Sequence, residues 1–140
     1  MCSHNSTRSQ IAELYLNKLY GDRYDAYSAG IQPGEVNPFL FEAMIEEGID
    51  ISESWAKDLA YYDGFVFDLI VVVCDEDADL SLFDSGTEVW NHSFKDPSSF
   101  TGSDDVIFNK ITKVRDEIKK WIKIQFARAR TPAELPQKLV

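Results

Sequence analysis

The sequence lacks a long apolar run. Its longest, from Leu69 to Cys74, has six residues, far short of the ~20 that a membrane-spanning helix needs. The sequence opens on polar residues, so it shows no apolar signal segment. These absences predict a protein that neither crosses nor binds a membrane and that works in the cytoplasm.

Positive charge is also scarce. The 140 residues hold 14 Lys and Arg against 24 Asp and Glu, a formal net charge of -10. Because nucleic acids are bound through a surplus of Lys and Arg, this balance argues against a nucleic-acid partner. A chain this acidic that binds a small anion must build a local positive pocket for it.

Only two cysteines are present, Cys2 and Cys74. Two are too few for a secreted disulfide scaffold, and a reducing compartment keeps both as thiols. The two histidines, His4 and His92, are too scattered to complete a zinc motif with them. No metal and no cofactor is therefore predicted, and each cysteine is either a reactive thiol or a small buried residue.

Strand and helix patterns alternate along the chain, which is typical of a three-layer α/β/α fold with a small parallel sheet. Strands are predicted over 24–29, 68–74 and 88–92, and helices over 9–20, from Pro38 to Gly48, over 55–61 and over 103–126. The helix from Pro38 is expected to bury Leu40, Phe41, Met44 and Ile45. Residues 1–126 are predicted to form one domain. Residues 127–140, with two prolines and no periodicity, are predicted to be a loose tail.

The segment with the clearest chemistry is Cys2-Ser3-His4-Asn5-Ser6-Thr7-Arg8-Ser9, in which five residues separate a thiol from a guanidinium just before a helix. Such a loop can turn its backbone N–H groups towards an anion, and the helix N-terminus adds partial positive charge. Arg8 can hold two oxygens of a tetrahedral oxyanion, and the same field is expected to lower the pKa of Cys2. On this spacing alone, an ordinary helix start capped by Ser6 or Ser9 is a better interpretation than an oxyanion-binding loop.

Further segments of the sequence strengthen the interpretation as an oxyanion-binding loop. CSHNSTRSQIAE at 2–13 is followed in order by YSAG at 27–30, VNP at 36–38, GIDIS at 48–52, VCD at 73–75, DP at 96–97 and VRDEI at 114–118. Together these segments strongly resemble the low-molecular-weight protein tyrosine phosphatase-like superfamily. The resemblance covers nearly all of the chain before residue 127.

Three features of the resemblance favour the thioredoxin-type arsenate reductase branch. Gln10 stands where the phosphatases usually have proline, and Ser98 and Ser99 stand where they tend to have two tyrosines. Cys74 matches the second cysteine of the reductases. Their third cysteine is here Ser81, however, and a hydroxyl cannot accept a disulfide.

The resemblance implies a mechanism. The Cys2 thiolate attacks an arsenate that is held by the loop and Arg8, with Asp96 as general acid. Cys74 then displaces arsenite and forms a disulfide with Cys2, which thioredoxin or another small thiol reduces. The implied oxyanion-binding residues are Ser3, His4, Asn5, Ser6, Thr7, Arg8 and Ser9. The alternatives are a buried strand-end residue for Cys74 and a turn residue before proline for Asp96.

The resemblance also implies a support behind the loop. Glu13 and Ser28 resemble residues that, with Asn5 and an aspartate, bind potassium in some reductases. Lys57 takes the place of that aspartate, and its ammonium could do the electrostatic work of the ion. We therefore predict no potassium requirement, and the alternative for Lys57 is an exposed helix lysine.

The family's first central strand is missing from the sequence, because only Met1 precedes Cys2. Its loss would leave ladder groups unpaired on both neighbouring strands. If another segment fills the place, residues 135–140 are the first candidate. Three functions stay open: arsenate reduction, phosphate-ester hydrolysis by a low-molecular-weight protein tyrosine phosphatase through a phosphocysteine, and an inactive oxyanion-binding homologue. The substrate is accordingly arsenate or a phosphate ester.

Overall fold

The computed structural model describes residues 1, 7–32, 34–52, 54–74, 79–127 and 138–139. Their helices are α1 (Arg8–Tyr20), α2 (Pro38–Ile45) and α3 (Asp104–Phe126), with short 3₁₀ helices at Leu59–Tyr62 and Pro97–Ser99. Their strands are β1 (Asp25–Ala26), β2 (Leu69–Val72), β3 (Glu88–Asn91) and β4 (Lys138–Leu139). The strand pairings are all parallel, which confirms the predicted α/β class.

The strands form one sheet in the order β1-β4-β2-β3. All four residues of β2 are buried, as expected for an apolar strand that is covered on both faces. Its register with β3 pairs Leu69 with Glu88 and Val72 with Asn91. On its other edge, Leu69 pairs with Leu139 of β4.

Strand β4 lies between β1 and β2 in the sheet, within the segment 135–140 that is the first candidate for the place of the family's first central strand. Lys138 pairs with Asp25, and Leu139 pairs with Ala26 of β1 as well as with β2. The tail predicted to be loose therefore contributes a strand at residues 138–139, while residues 128–137 and 140 lie outside the described residues. A strand of two residues is too short to show any periodicity, which is why the sequence pattern did not reveal it.

Helix α3 agrees closely with its predicted range. Val106 donates its N–H to the Ser103 hydroxyl at 3.3 Å, which caps the first turn. The buried stripe recurs at helical spacing and comprises Ile111, Val114, Arg115, Ile118, Ile122 and Phe126. Among the described helices, none is both long and apolar enough to cross a membrane.

Helix α2 differs from its prediction in which side chains it buries. Leu40 and Met44 are fully buried as expected, but Phe41 and Ile45 are 42% and 51% exposed. Ala43 is buried instead. At 100° per residue, the face that holds Leu40, Ala43 and Met44 turns the other two side chains towards solvent. The helix predicted over 55–61 is also shorter and is a 3₁₀ helix over Leu59–Tyr62.

A polar cluster joins the three helices. Tyr15 of α1 donates to Glu47 at 2.7 Å, and Lys119 of α3 donates to the same carboxylate oxygen at 2.8 Å. The buried Arg115 donates to the carbonyl oxygen of Ala43 at 2.7 Å. The hydrogen bonds from Lys119 and Tyr15 lower the pKa of Glu47 to about 2.

We expect this cluster to make the fold sensitive to acid. The pKa of Glu47 is lower in the folded protein than its ordinary 4.5, so stabilisation that is present above pH 4.5 is lost as the pH falls towards 2. Glu47→Gln removes that contribution. In urea unfolding between pH 5 and pH 2.5, the wild type should lose more free energy of unfolding than the variant, by on the order of 1 kcal/mol after solvent screening. Glu42→Gln, at an exposed position of α2, should follow the wild type. Equal pH slopes for Glu47→Gln and wild type would contradict this account.

Candidate functional site

Arg8 opens helix α1 and is the buried cation of the site. Its side chain is 5% exposed. Nη1 donates to the carbonyl oxygen of Phe94 at 3.2 Å, and Nη2 lies 3.6 Å from Oδ2 of Asp96. The guanidinium is thus held at the positive end of a helix and beside a carboxylate.

Asp96 lies between β3 and the 3₁₀ helix Pro97–Ser99, and its two oxygens face different partners. Oδ1 accepts the N–H of Ser98 at 2.9 Å, which caps the 3₁₀ helix. Oδ2 faces Arg8, and the side chain is 38% exposed. Asp96 is therefore the turn residue that its sequence context indicates, and it also lies against the predicted oxyanion-binding arginine.

The end of β2 brings these segments together. Val73 donates its N–H to the carbonyl oxygen of Met1 at 2.8 Å, and its own carbonyl oxygen accepts the N–H of Phe94 at 3.3 Å. The nitrogen of Met1 donates to the carbonyl oxygen of Val71. Val73, the residue directly after β2, is thus hydrogen-bonded both to Met1 and to the segment that contacts Arg8.

Much of the predicted loop lies outside the described residues, namely Cys2, Ser3, His4, Asn5 and Ser6. The nucleophile and most of the oxyanion-binding residues therefore stay predictions. Of the loop's remaining residues, Thr7, Arg8 and Ser9 are all buried at the start of α1. The structure brings Arg8 and Asp96 together, as the resemblance implies.

Cys74 follows Val73 directly and is 5% exposed. A thiol in this position suits either interpretation from the sequence, a resolving thiol or a small buried strand-end residue. Ser81 is exposed in a turn, where its N–H donates to Asp79 at 3.0 Å. The structure thus places the position of the family's third cysteine at the surface.

Glu13 interacts with both Ser28 and Lys57, the other two residues predicted to support the loop. The hydroxyl of Ser28, itself 1% exposed, donates to Oε2 of Glu13 at 2.6 Å. Lys57 is 7% exposed, so the alternative of an exposed helix lysine is wrong. Its ammonium donates to the carbonyl oxygen of Trp55 at 2.9 Å and lies 5.1 Å from the centre of that ring.

Burial and the neighbouring charge act in opposite directions on the pKa values of Glu13 and Lys57. Burial raises the pKa of Glu13, while the hydrogen bond from Ser28 and the charge of Lys57 act against the rise. Burial also lowers the pKa of Lys57, against the charge of Glu13. Among the residues that the structure describes, no three His, Cys, Asp or Glu side chains are grouped to hold a metal ion. The absence of a potassium requirement stays a prediction.

Two further contacts are not foreshadowed by any sequence pattern. The Phe94 carbonyl oxygen that binds Arg8 is a backbone group, which no residue type can signal. The side chain of Gln10 donates to the Trp55 carbonyl oxygen at 2.9 Å, which ties α1 to the segment that carries Lys57. A cavity of about 530 Å³ opens beside this segment; its lining includes Gln10, Glu13, Tyr27, Trp55, Lys57 and Tyr62.

Comparison with known proteins gives one family. The chain matches the family model described as low molecular weight phosphotyrosine protein phosphatase over residues 1–130. It is 40% identical over 124 residues to an arsenate reductase of Halalkalibacterium halodurans, which covers 88% of this chain and 89% of the relative. It is 34% identical over 127 residues to an arsenate reductase of Bacillus subtilis, with the same two coverages.

Solved structures agree in fold. A structure described as an arsenate reductase in the phosphate binding state has a TM-score of 0.74 at 23% identity, over 90% of this chain and 92% of that one. A tyrosine phosphatase of Erwinia amylovora has a TM-score of 0.63 at 21% identity, over 92% and 90% of the two chains. At these identities the likeness shows the fold alone.

The burial of Glu13 leads to a second pH prediction. Because its pKa is raised, the folded protein keeps a proton at pH values where the unfolded chain has released it, so stability falls as the pH rises above 4.5. Glu13→Gln removes this fall and keeps an acceptor for the Ser28 hydroxyl. In thermal melts from pH 4.5 to 7, the Tm of the variant should rise relative to wild type by a few degrees. Glu35→Gln, at an exposed position, is the control. A Tm difference for Glu13→Gln that stays constant or shrinks with pH would refute the assignment.

Proposed function

The chain belongs to the low molecular weight phosphotyrosine protein phosphatase family, and on this basis we propose that it is an arsenate reductase, which converts arsenate to arsenite. The observation that carries the proposal is the contact of the buried Arg8 with Asp96. It joins a cation that can bind a tetrahedral oxyanion to a carboxyl group that can donate a proton. The curated relatives named arsenate reductase favour arsenate over a phosphate ester.

Binding of the substrate depends on a local positive field in an acidic chain. The loop from Cys2 to Ser9 supplies backbone N–H groups, the N-terminus of α1 supplies partial positive charge, and Arg8 supplies two parallel N–H donors. When the arsenate dianion lies beside Asp96, its negative charge favours the protonated form of that carboxyl group. The acid is thereby ready for the first step.

In the first step the sulfur of Cys2 attacks arsenic. An S–As bond forms and an As–O bond breaks, and the departing oxygen takes the proton of Asp96 and leaves as water. Arg8 holds the remaining oxygens of the arsenic centre throughout.

In the second step the thiolate of Cys74 attacks the sulfur of Cys2. The S–S bond forms as the S–As bond breaks, and the electron pair of that bond passes to arsenic, which leaves as arsenite. Thioredoxin or another small thiol then reduces the disulfide with two electrons. The hydrogen bond between Val73 and Met1 supports this pairing, because these two residues directly precede Cys74 and Cys2 in the chain.

Hydrolysis of a phosphate ester is the second candidate function. Two observations favour it: Ser81 stands where the reductases have their third cysteine, and the fold is also that of a tyrosine phosphatase. In this case Cys2 forms a phosphocysteine that water cleaves, and Cys74 takes no part in the reaction.

Cys74→Ser separates the two enzymatic functions. A reductase needs the second sulfur to release arsenite, so the variant should give at most one arsenite per enzyme with thioredoxin as reductant, whereas wild type turns over repeatedly. Hydrolysis of an aryl phosphate needs only water, so any such activity should be unchanged. Ser81→Ala, at the exposed position, is the matched control and should turn over arsenate like wild type. Melting curves of each variant check that the fold is kept.

Any other outcome of this experiment would contradict a specific part of the proposal. Repeated arsenite formation by Cys74→Ser would exclude Cys74 as the resolving thiol. Aryl-phosphate hydrolysis by a wild type that forms no arsenite would make the protein a phosphatase. A folded wild type with neither activity would be the inactive oxyanion-binding homologue.

A further inference from the structure

The cavity beside α1 has the construction of a second binding site. Its volume of about 530 Å³ lies within the range of about 300–1,000 Å³ that is usual for pockets that bind small molecules. We propose that it binds a small organic ammonium ion, whose nitrogen carries apolar substituents, between aromatic rings and carboxylates. This inference is independent of the proposed function, because it involves neither Arg8 nor Asp96.

The cavity lies on the side of α1 that faces away from Arg8. Helix α1 contributes Gln10, Glu13 and Asn17 to its lining. At 100° per residue, these three positions lie about 140–200° round the helix from Arg8. Neither Arg8 nor Asp96 belongs to the described lining of the cavity. The cavity is therefore separate from the contact to which we assign the oxyanion.

Aromatic rings form one wall of the cavity and stand nearly at right angles to one another. The ring centres of Trp55 and Tyr61 are 4.9 Å apart with their planes at 88°, and those of Tyr61 and Tyr62 are 5.1 Å apart, also at 88°. Tyr62 and Phe65 follow at 5.5 Å and 87°. Perpendicular rings present their π faces in different directions, so together they can enclose a cation, which the negative charge of each face attracts.

Three of these rings are too exposed to serve as core packing alone. Trp55, Tyr61 and Phe65 are 49%, 58% and 41% exposed, whereas Tyr62 is 2% exposed. Tyr62 thus anchors the wall in the core. Exposed apolar side chains that are grouped in one place are typical of interaction sites. The wall is therefore firmly held and at the same time accessible to a ligand that enters from solvent.

Carboxylates around the cavity favour a positively charged ligand. Asp50 lines the cavity, and Asp58 and Asp63 cap the two ends of the 3₁₀ helix that carries Tyr61 and Tyr62. All three aspartates are exposed, and none forms an ion pair with another residue that the structure describes. Their negative charge is thus not balanced by a contacting cation, and it raises the local concentration of positively charged ligands.

Lys57 already places an ammonium against this wall. It is the cation in the described lining, and its nitrogen lies 5.1 Å from the centre of the Trp55 ring. The same nitrogen donates to the Trp55 carbonyl oxygen at 2.9 Å, and the charge of Glu13 acts on it as well. Its charge is therefore compensated where it lies. A ligand ammonium with apolar substituents needs no such acceptor, because ring faces attract it by charge and by contact.

Choline and 3,3-dimethylbutan-1-ol are the probes that test the proposal, because they have the same shape and differ in the charge of one central atom. The chain has three tryptophans, whose indole N–H signals can be followed by NMR during titration. Choline should shift the signal of Trp55 saturably. The signals of Trp90 and Trp121, which are not in the described lining, should stay in place. The neutral alcohol should bind about tenfold more weakly.

Two variants test the rings and the charge separately. Tyr61→Leu removes an exposed ring and should weaken choline binding about tenfold. Asp50→Asn removes a charge, keeps the acceptor for the N–H of Ser52, and should weaken binding about threefold. Phe41→Leu, at an exposed aromatic position of α2, is the matched control and should bind choline like wild type. Thermal melts of each variant check that the fold is kept.

The two titrations of wild type decide the proposal even where a variant does not fold. Equal affinity for choline and the neutral alcohol would overturn it, because the cavity would then select apolar molecules regardless of charge. A Trp55 signal that choline does not shift saturably would overturn it as well. These titrations contain no arsenate and measure no turnover, so their failure is distinguishable from a failure of the proposed function.

Discussion

The hydrogen bonds on the two edges of β2 hold the site together. One edge binds Leu139 and Met1, and the other binds β3 and the segment that follows it. Val73 joins the two, because its N–H binds Met1 while its carbonyl oxygen binds Phe94. Buried backbone groups need partners, so neither segment can move away without the loss of a hydrogen bond. The meeting of Arg8 with Phe94 and Asp96 follows from this junction.

Charge is arranged in opposed groups along the start of α1. Arg8 faces Asp96 at the first residue of the helix, and the charges of Glu13 and Lys57 act on each other about one turn further on. Burial of an isolated charge is costly, and a nearby opposite charge reduces that cost. Asp96 is the most exposed of these groups, with 38% of its side chain accessible. The accessible side of the Arg8–Asp96 pair is therefore the carboxyl group, while the guanidinium is buried.

The sequence predicted those parts of the protein that depend on a repeated local pattern. The apolar run of β2 and the periodicity of α3 are extended signals, and both elements lie where expected. The contact of Arg8 with Asp96 was likewise implied by the resemblance. Features that depend on single positions or on tertiary pairing were missed. The exposure of Phe41 and Ile45 depends on how α2 rotates against the core, and the two-residue β4 is recognised by its pairing with β1 and β2, which no local pattern indicates.

The proposed function requires that Cys2 be a thiolate in an anion-binding loop that Arg8 completes. This requirement is tested by the rate of Cys2 alkylation against pH, with mass mapping to separate Cys2 from Cys74, in the presence and absence of arsenate. We expect half-maximal reactivity well below the ordinary thiol value of ~8.5, and protection by arsenate that Arg8→Lys weakens. A Cys2 that reacts only near pH 8.5 and is indifferent to arsenate would contradict the account.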